Sequence, residues 1–319
     1  MEYMIVMEYA NEGNLRNYLS SNFKTLNWSK KLDILNNLVI DLNRIHMIGY
    51  MHQDFHSGNV LLIFDNSRQS NSSFRIVIAD LGLSRKKNIN INEKGIFGVL
   101  PYVAPEVLCG KSYTMAADIY SLGVIMSEIS TGKPPYFDQL HECGIPENEL
   151  AVKILNGLRP EFAPGTPKCY IKLALQCMDN NPLKRPTNDI ITNKVGTWYD
   201  KLNIENDDNK SESDSDFSDA YHYDEYDNID INDEIDINED YNNMDEYSDG
   251  TKNDINDDFN IYDEFISADE VISLFSTNFN QNPNVEYKSK FINTEHLAKQ
   301  FNLLPQNNDE FLSFFKDLI

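Results

Sequence analysis

The chain has 319 residues, with 51 acidic against 27 basic side chains and a formal net charge of −24. That balance excludes a nucleic-acid binder driven by a general basic field, because phosphate attraction needs clustered Lys and Arg. It also argues against a polybasic hold on anionic membranes.

From Tyr3 to Tyr9 the run YMIVMEY predicts a short buried strand, and Asn11-Glu12-Gly13-Asn14 a turn leading into a helix at LRNYLSS. The clearest helix spans 29–48, where Leu32, Leu35, Leu38, Leu42 and Ile45 recur at helical spacing and Gly49 stands where a C-terminal cap belongs. Two β-like runs follow, Val60–Phe64 and Phe74–Ala79, separated by the polar stretch DNSRQSNSS. Met115 to Ser130 is apolar nearly all round, which marks a helix buried inside a domain, and Thr131-Gly132 ends it. Further helices are expected near Leu150–Asn156 and Tyr170–Met178. The expected class is α+β, mainly α.

Charge divides the chain near 199/200. Residues 1–199 carry 20 basic and 19 acidic side chains, whereas 200–319 carry 7 and 32, so the negative excess belongs to the second part. Residues 200–262 are low-complexity Asp, Asn, Glu, Ser and Tyr, too charged and too poor in large apolar groups to offset chain ordering, and disorder is expected there. Within 263–319, DEVISLFS, NTEHLAKQF and DEFLSFFKDLI each have a polar start and helically spaced apolar residues, as short docking helices or transient ones would. Four cysteines (Cys109, Cys143, Cys169, Cys177), none in a C-x-x-C pair, support neither a disulfide scaffold nor a zinc site. They are expected to be reduced, in a cytoplasmic setting, since no apolar run is long enough to span a bilayer and MEYMIVMEYA lacks the basic start of a signal peptide.

Four short motifs occur in order: His52-Gln53-Asp54-Phe55-His56-Ser57-Gly58-Asn59 after the long helix, Asp80-Leu81-Gly82 after the second β run, Ala104-Pro105-Glu106, and Asp118-Ile119-Tyr120-Ser121-Leu122-Gly123 at the start of the buried helix. Each is weak alone. In this order and spacing they closely resemble the protein-kinase signatures H-R-D-x-x-x-x-N, D-F-G and A-P-E. Met7-Glu8-Tyr9-Ala10 resembles the hinge, and Cys177 to Pro186 fits the same family. The resemblance covers residues 3 to about 192. The hinge, His56 and Leu100-Pro101-Tyr102 look most like tyrosine-kinase-like kinases.

The resemblance implies the large lobe of a kinase over residues 1–199, preceded by the hinge strand and followed by an acidic region (200–262) and a tail (263–319). It implies transfer of the ATP γ-phosphoryl group to a Ser/Thr or Tyr hydroxyl of a protein substrate. Asp54 would accept the hydroxyl proton, and Asn59 and Asp80 would hold Mg²⁺ through hard oxygen ligands. Met7 would be the gatekeeper, Glu8 and Ala10 the hinge groups facing the adenine edge, and Leu61 the residue beneath the adenine. Glu106 and Arg185 match a buried structural ion pair, and Asp118 a group holding the catalytic-loop backbone. His52 is expected to be a packed structural histidine.

The chain also departs from the family. It holds no G-x-G-x-x-G and no V-A-I-K-like strand, so a partial domain is expected, with the small lobe missing and the phosphates short of a clamp and a cation. Gln53 replaces the usual Arg, and no Ser, Thr or Tyr lies between Ser84 and Tyr102, so no phosphate switch is expected there. A kinase-like scaffold without catalysis is therefore the alternative. The acidic tail could attract a basic partner, cover the chain's own substrate groove, or aid solubility, and solubility is the default expectation.

Overall fold

A computed structural model describes residues 8–64, 74–86, 95–208, 255–272, 285–295 and 297. Its helices are α1 (Leu15–Asn22), α2 (Trp28–Met47), α3 (Pro105–Leu108), α4 (Met115–Thr131), α5 (Glu147–Leu155), α6 (Lys168–Cys177), α7 (Asn188–Asp208) and α8 (Ile255–Ile272). The strands are β1 (Tyr50–Met51), β2 (Val60–Phe64), β3 (Phe74–Ile78), β4 (Arg85–Lys86), β5 (Ile96–Gly98) and β6 (Lys290–Ile292). They form three separate antiparallel pairs, β1 with β4, β2 with β3 and β5 with β6. The class is α+β, mainly α, as expected.

The helical ends follow local chemistry. Asn14 caps α1 by accepting from Asn17 N at 2.9 Å, and Asn27 caps α2 by accepting from Lys30 N at 3.1 Å. Helix α2 ends at Gly49, whose φ of +78° suits a residue without Cβ. Leu32, Leu35, Leu38 and Leu42 are fully buried, and α2 packs against α7, β3 and α4. Helix α4 is buried on every face from Ala117 to Ser130, so its even apolar composition places it at the centre of the core. It lies so close to α6 that a Cβ on Gly123 would come 2.7 Å from Met178 Cγ and 2.8 Å from Ala174 O.

The strand expected at Tyr3–Tyr9 falls largely outside the described residues. Of its last two positions, neither Glu8 nor Tyr9 is in a strand, and Tyr9 is 83% exposed. The composition break at 199/200 lies inside α7, because Trp198 and Leu202 on either side of it are both buried. Helix thus occupies 200–208 and 255–262, the two ends of the stretch expected to be disordered, while 209–254 lie outside the described residues.

Helix α8 docks on the domain. Phe265 is fully buried in an aromatic group with Trp28 (centroids 5.4 Å apart) and Trp198 (5.9 Å), and Trp28 meets Tyr170 edge-on at 4.9 Å. Two acidic side chains of α8 also cap other helices. Asp269 Oδ1 accepts from Trp28 N at 2.7 Å, and Glu264 Oε2 accepts from Lys168 N at 2.8 Å. Carboxylates favour these positions because helix N-termini leave amide donors unpaired and carry partial positive charge. The helix expected at DEVISLFS (269–276) begins earlier, at Ile255, and only its first residues, through Ile272, are described. In the NTEHLAKQF motif residues 294, 295 and 297 are helical, with Thr294 and Leu297 buried, the rest of it beyond 297 and the DEFLSFFKDLI segment lying outside the described residues. No helix among the described residues is long and apolar enough to cross a membrane.

Candidate active site

The loop from Met51 to Asn59 is held from below by Asp118. This carboxylate is fully buried and accepts from His52 N (2.9 Å), Gln53 N (3.1 Å) and His46 Nε2 (2.9 Å). Three donors offset the desolvation of a charge placed on an apolar helix. They also hold Gln53 in the left-handed region, φ +69°, which a side chain with a Cβ adopts only under such constraint. His52 is buried, with Nε2 donating to Ala79 O at 3.0 Å and Nδ1 accepting from Asp54 N at 3.3 Å. Both ring nitrogens are occupied by backbone, so His52 packs the loop and is not free to carry protons.

Asp54 sits above this platform, 6% exposed. Burial pushes its carboxyl upward, but His56, the Ser289 hydroxyl and the nearby His52 outweigh that and hold it below the ordinary aspartate value. His56 Nε2 lies 3.6 Å from Asp54 Oδ1, and His56 Nδ1 accepts from Gly58 N at 3.0 Å. Asp54 therefore stays ionised at neutral pH with an oxygen open to a proton.

Asn59 ties the loop to the β2–β3 hairpin. Its Nδ2 donates to Asp54 O at 3.0 Å, and its carbonyl accepts from Ala79 N at 2.8 Å. The hairpin register sets Val60 opposite Ile78, so Asp80 emerges beside Asn59. Asp80 has φ +61° and accepts from Gly82 N through Oδ1 at 3.3 Å, leaving Oδ2 uncommitted to that turn. The sequence-expected Asp54, Asn59 and Asp80 are thus brought to one place. An amide oxygen and an exposed carboxylate suit a hard divalent cation such as Mg²⁺. Among the described residues no group of three or more His, Cys, Asp or Glu could hold a metal, so this pair would need oxygens from a bound nucleotide or water.

The expected nucleotide residues are less gathered. Met7 lies outside the described residues. The Glu8 carboxylate pairs with the Arg75 guanidinium, and the Ala10 carbonyl accepts from Gly13 N at 3.1 Å in a turn. Leu61 stands opposite Val77 in the hairpin and bridges to Asn14.

Glu106 and Arg185 form the expected buried pair, with Nη1–Oε1 and Nη2–Oε2 both 2.7 Å. Nothing in the sequence pointed to a second buried group, around Glu128. The fully buried Glu128 accepts from Tyr102 Oη at 2.7 Å and lies 3.7 Å from Arg16 Nε. Tyr102 Oη also meets Ser57 Oγ at 3.0 Å. Burial raises the Glu128 carboxyl, opposed by Arg16 and Tyr102. These residues are 26 to 112 positions apart in sequence, and only the fold joins them.

The loop carrying Asp54 and the Asn59–Asp80 pair at the end of the hairpin thus stand together, with Asp118 of the buried helix α4 holding the loop. Residues 1–195 match the model described as "Protein kinase domain", and the chain belongs to that family. It is 32% identical over 191 residues to the "Probable serine/threonine-protein kinase roco5" of Dictyostelium discoideum, a match covering 57% of this chain and 7% of that protein. It is 30% identical over 233 residues to the "Protein kinase and PP2C-like domain-containing protein" of Arabidopsis thaliana, covering 63% of this chain and 34% of that protein. The chain therefore spans about a third or less of these relatives.

Proposed function

We propose that the chain is the large lobe and hinge of an ATP-dependent protein kinase of the tyrosine-kinase-like type, acting on serine or threonine hydroxyls. The observation that carries this reading is the coupling of Asp54 to Asn59 (3.0 Å) and of Asn59 to the strand preceding Asp80 (2.8 Å). Asp54 orients the attacking hydroxyl and accepts its proton. Asn59 and Asp80 would hold Mg²⁺, which neutralises charge on the transferred phosphoryl group. Asp118 keeps the loop in place, and Glu106–Arg185 fixes the segment behind it. Support for serine or threonine over tyrosine comes from relatives named as serine/threonine kinases.

Residues 1–319 hold neither a Gly-rich loop nor a strand Lys, so on this reading the phosphate clamp and its cation come from outside them. Sequencing the transcript upstream of the Met1 codon tests this, and an in-frame Gly-rich loop followed by a strand Lys is expected. The full encoded chain, given Mg²⁺ and labelled ATP, should phosphorylate a generic protein substrate, and Asp54→Asn should not. An absence of label together with no Mg²⁺-ATP-dependent thermal shift would establish the other reading, a kinase-like scaffold that binds partners without catalysis.

A further inference from the structure

A segment far along the chain lies in the candidate active site. The Ser289 hydroxyl donates to Asp54 Oδ2, across 235 residues of sequence. Immediately after it, β6 pairs antiparallel with β5, setting Ile96 opposite Ile292, Phe97 opposite Phe291 and Gly98 opposite Lys290. Strand β5 belongs to the segment between Asp80-Leu81-Gly82 and Ala104-Pro105-Glu106, beside the hydroxyl-accepting position.

The contacts on either side of Ser289 are specific. Two residues before it, Tyr287 donates its hydroxyl to Pro135 O (3.1 Å), offers its carbonyl to Arg16 Nη1 (2.8 Å), and lies under the Arg16 guanidinium at 5.1 Å. One residue after it, Lys290 Nζ meets the Glu147 carboxylate at 2.6 Å. Phe291 packs edge-on against Phe97 at 5.6 Å, and Ile292 is buried. The domain side is shaped to admit the backbone. A Cβ on Gly95 would come 2.5 Å from Ile292 O and 2.5 Å from the Phe291 ring.

We propose that residues 285–292 (VEYKSKFI) are an internal substrate that occupies the protein-substrate groove, with Ser289 as the phosphate acceptor. This deepens the kinase reading and rests on it. In the reaction Ser289 Oγ bonds to the γ-phosphorus of ATP, the bond from that phosphorus to the β,γ-bridging oxygen breaks, ADP leaves, and the hydroxyl proton passes to Asp54. The hydroxyl already points at the carboxylate that takes its proton, so what the segment needs is a nucleotide in line with it. The same contacts define the substrate class: a serine with an aromatic residue two positions before it and a basic residue immediately after it. While it is docked, the segment excludes other protein substrates. A phosphate on Ser289 would bring negative charge against Asp54 and favour release.

Two measurements test this independently. The first needs no activity. Amide hydrogen exchange on residues 1–319 without nucleotide should show protection at both 290–292 and 96–98. Gly95→Val should abolish it at both strands while the amides of α4 stay protected. Free exchange at 290–292 in the unaltered chain would overturn the proposal and leave the kinase reading untouched. The second uses the full encoded chain with Mg²⁺-ATP, read by mass spectrometry. Label should appear on Ser289 at a fractional rate independent of protein concentration, and Ser289→Ala should lose it. Gly95→Val should lose it too, because the same clash with Ile292 and Phe291 bars the segment from the groove. Phosphorylation of a generic substrate with no label on Ser289 would overturn the proposal while supporting the kinase reading. Transfer to no acceptor at all would overturn both.

Discussion

Asp269 and Trp28 are 241 residues apart, yet Asp269 Oδ1 accepts the Trp28 backbone N–H at 2.7 Å and closes the first turn of α2. Glu264 does the same for α6 at Lys168. Acidic residues that look like generic solvating charge in the sequence here act as caps supplied in trans by another helix. Removing either should cost about 1 kcal/mol, the usual worth of a helix cap. In urea unfolding, Asp269→Ala and Glu264→Ala should each lower the midpoint, and Phe265→Ala should lower it further by removing the anchor between Trp28 and Trp198. Unchanged midpoints in all three would mean that α8 does not hold the domain.

Lys31 gives a pH signature. Its side chain is fully buried, with Nζ 4.2 Å from the centre of the Phe23 ring, 4.8 Å from that of Trp28, and 3.3 Å from Ser130 O. Burial pushes its ammonium down from 10.5 to about 7, with the Asp269 carboxylate opposing. The unfolded chain then binds more protons than the folded one between those values, so this group makes stability rise with pH above about 7. One proton contributes at most about 1.4 kcal/mol per pH unit. Unfolding free energies at pH 6.5, 7.5 and 8.5 should show the unaltered chain gaining on Lys31→Met across that range. A constant difference would refute the shifted lysine.

The Glu106–Arg185 pair predicts asymmetric mutants. Removing Glu106 strands a buried guanidinium, whose remaining acceptors are Asp179 O (2.9 Å) and Ala116 O (2.7 Å). Glu106→Ala should destabilise by about 3–5 kcal/mol. Exchanging both residues for apolar ones of similar volume should cost much less. Thermal melts of the single and double variants check this, and equal losses would contradict it.

Asp54→Asn should lower the turnover of the full encoded chain on a protein substrate by about 10²–10⁴-fold, the usual range for a proton acceptor. It should leave the melting temperature nearly unchanged, because the amide has the shape of the carboxylate and keeps an oxygen to accept from the Ser289 hydroxyl. Asp118→Asn should lose both activity and stability, since Asp118 carries three hydrogen bonds of the loop. A kinetic assay beside a melt separates the two roles.

Much of the domain was legible because its signals are local. The leucine spacing of α2, the apolar run of α4 and the β2–β3 hairpin are periodic patterns, and structure followed them closely. Asp54, Asn59 and Asp80 stood out because the motifs that carry them, in their order along the chain, resemble the protein-kinase signatures. The docked part of the tail was legible only in part. The apolar spacing of DEVISLFS and NTEHLAKQF allowed short docking helices but not what they would cover, and among the described residues Phe265, Ala268, Ile292 and Leu297 enter the core. The Arg16–Glu128–Tyr102 cluster and the Ser289–Asp54 contact leave no mark at any single position, since each depends on elements far apart in sequence.

Helix α8 has a consequence beyond stability. It ends at Ile272, and the segment on β5 starts at Val285, so twelve residues of chain join them. A chain of that length reaches at most about 45 Å. Confining VEYKSKFI to such a radius amounts to an effective concentration of about millimolar, whatever the amount of protein in solution. On the proposed reading, an outside substrate of equal affinity must approach that figure to compete at Asp54. Prising α8 away would, on the same reading, remove this short tether and dilute the internal substrate. The helix, so read, sets the affinity that an outside substrate must have.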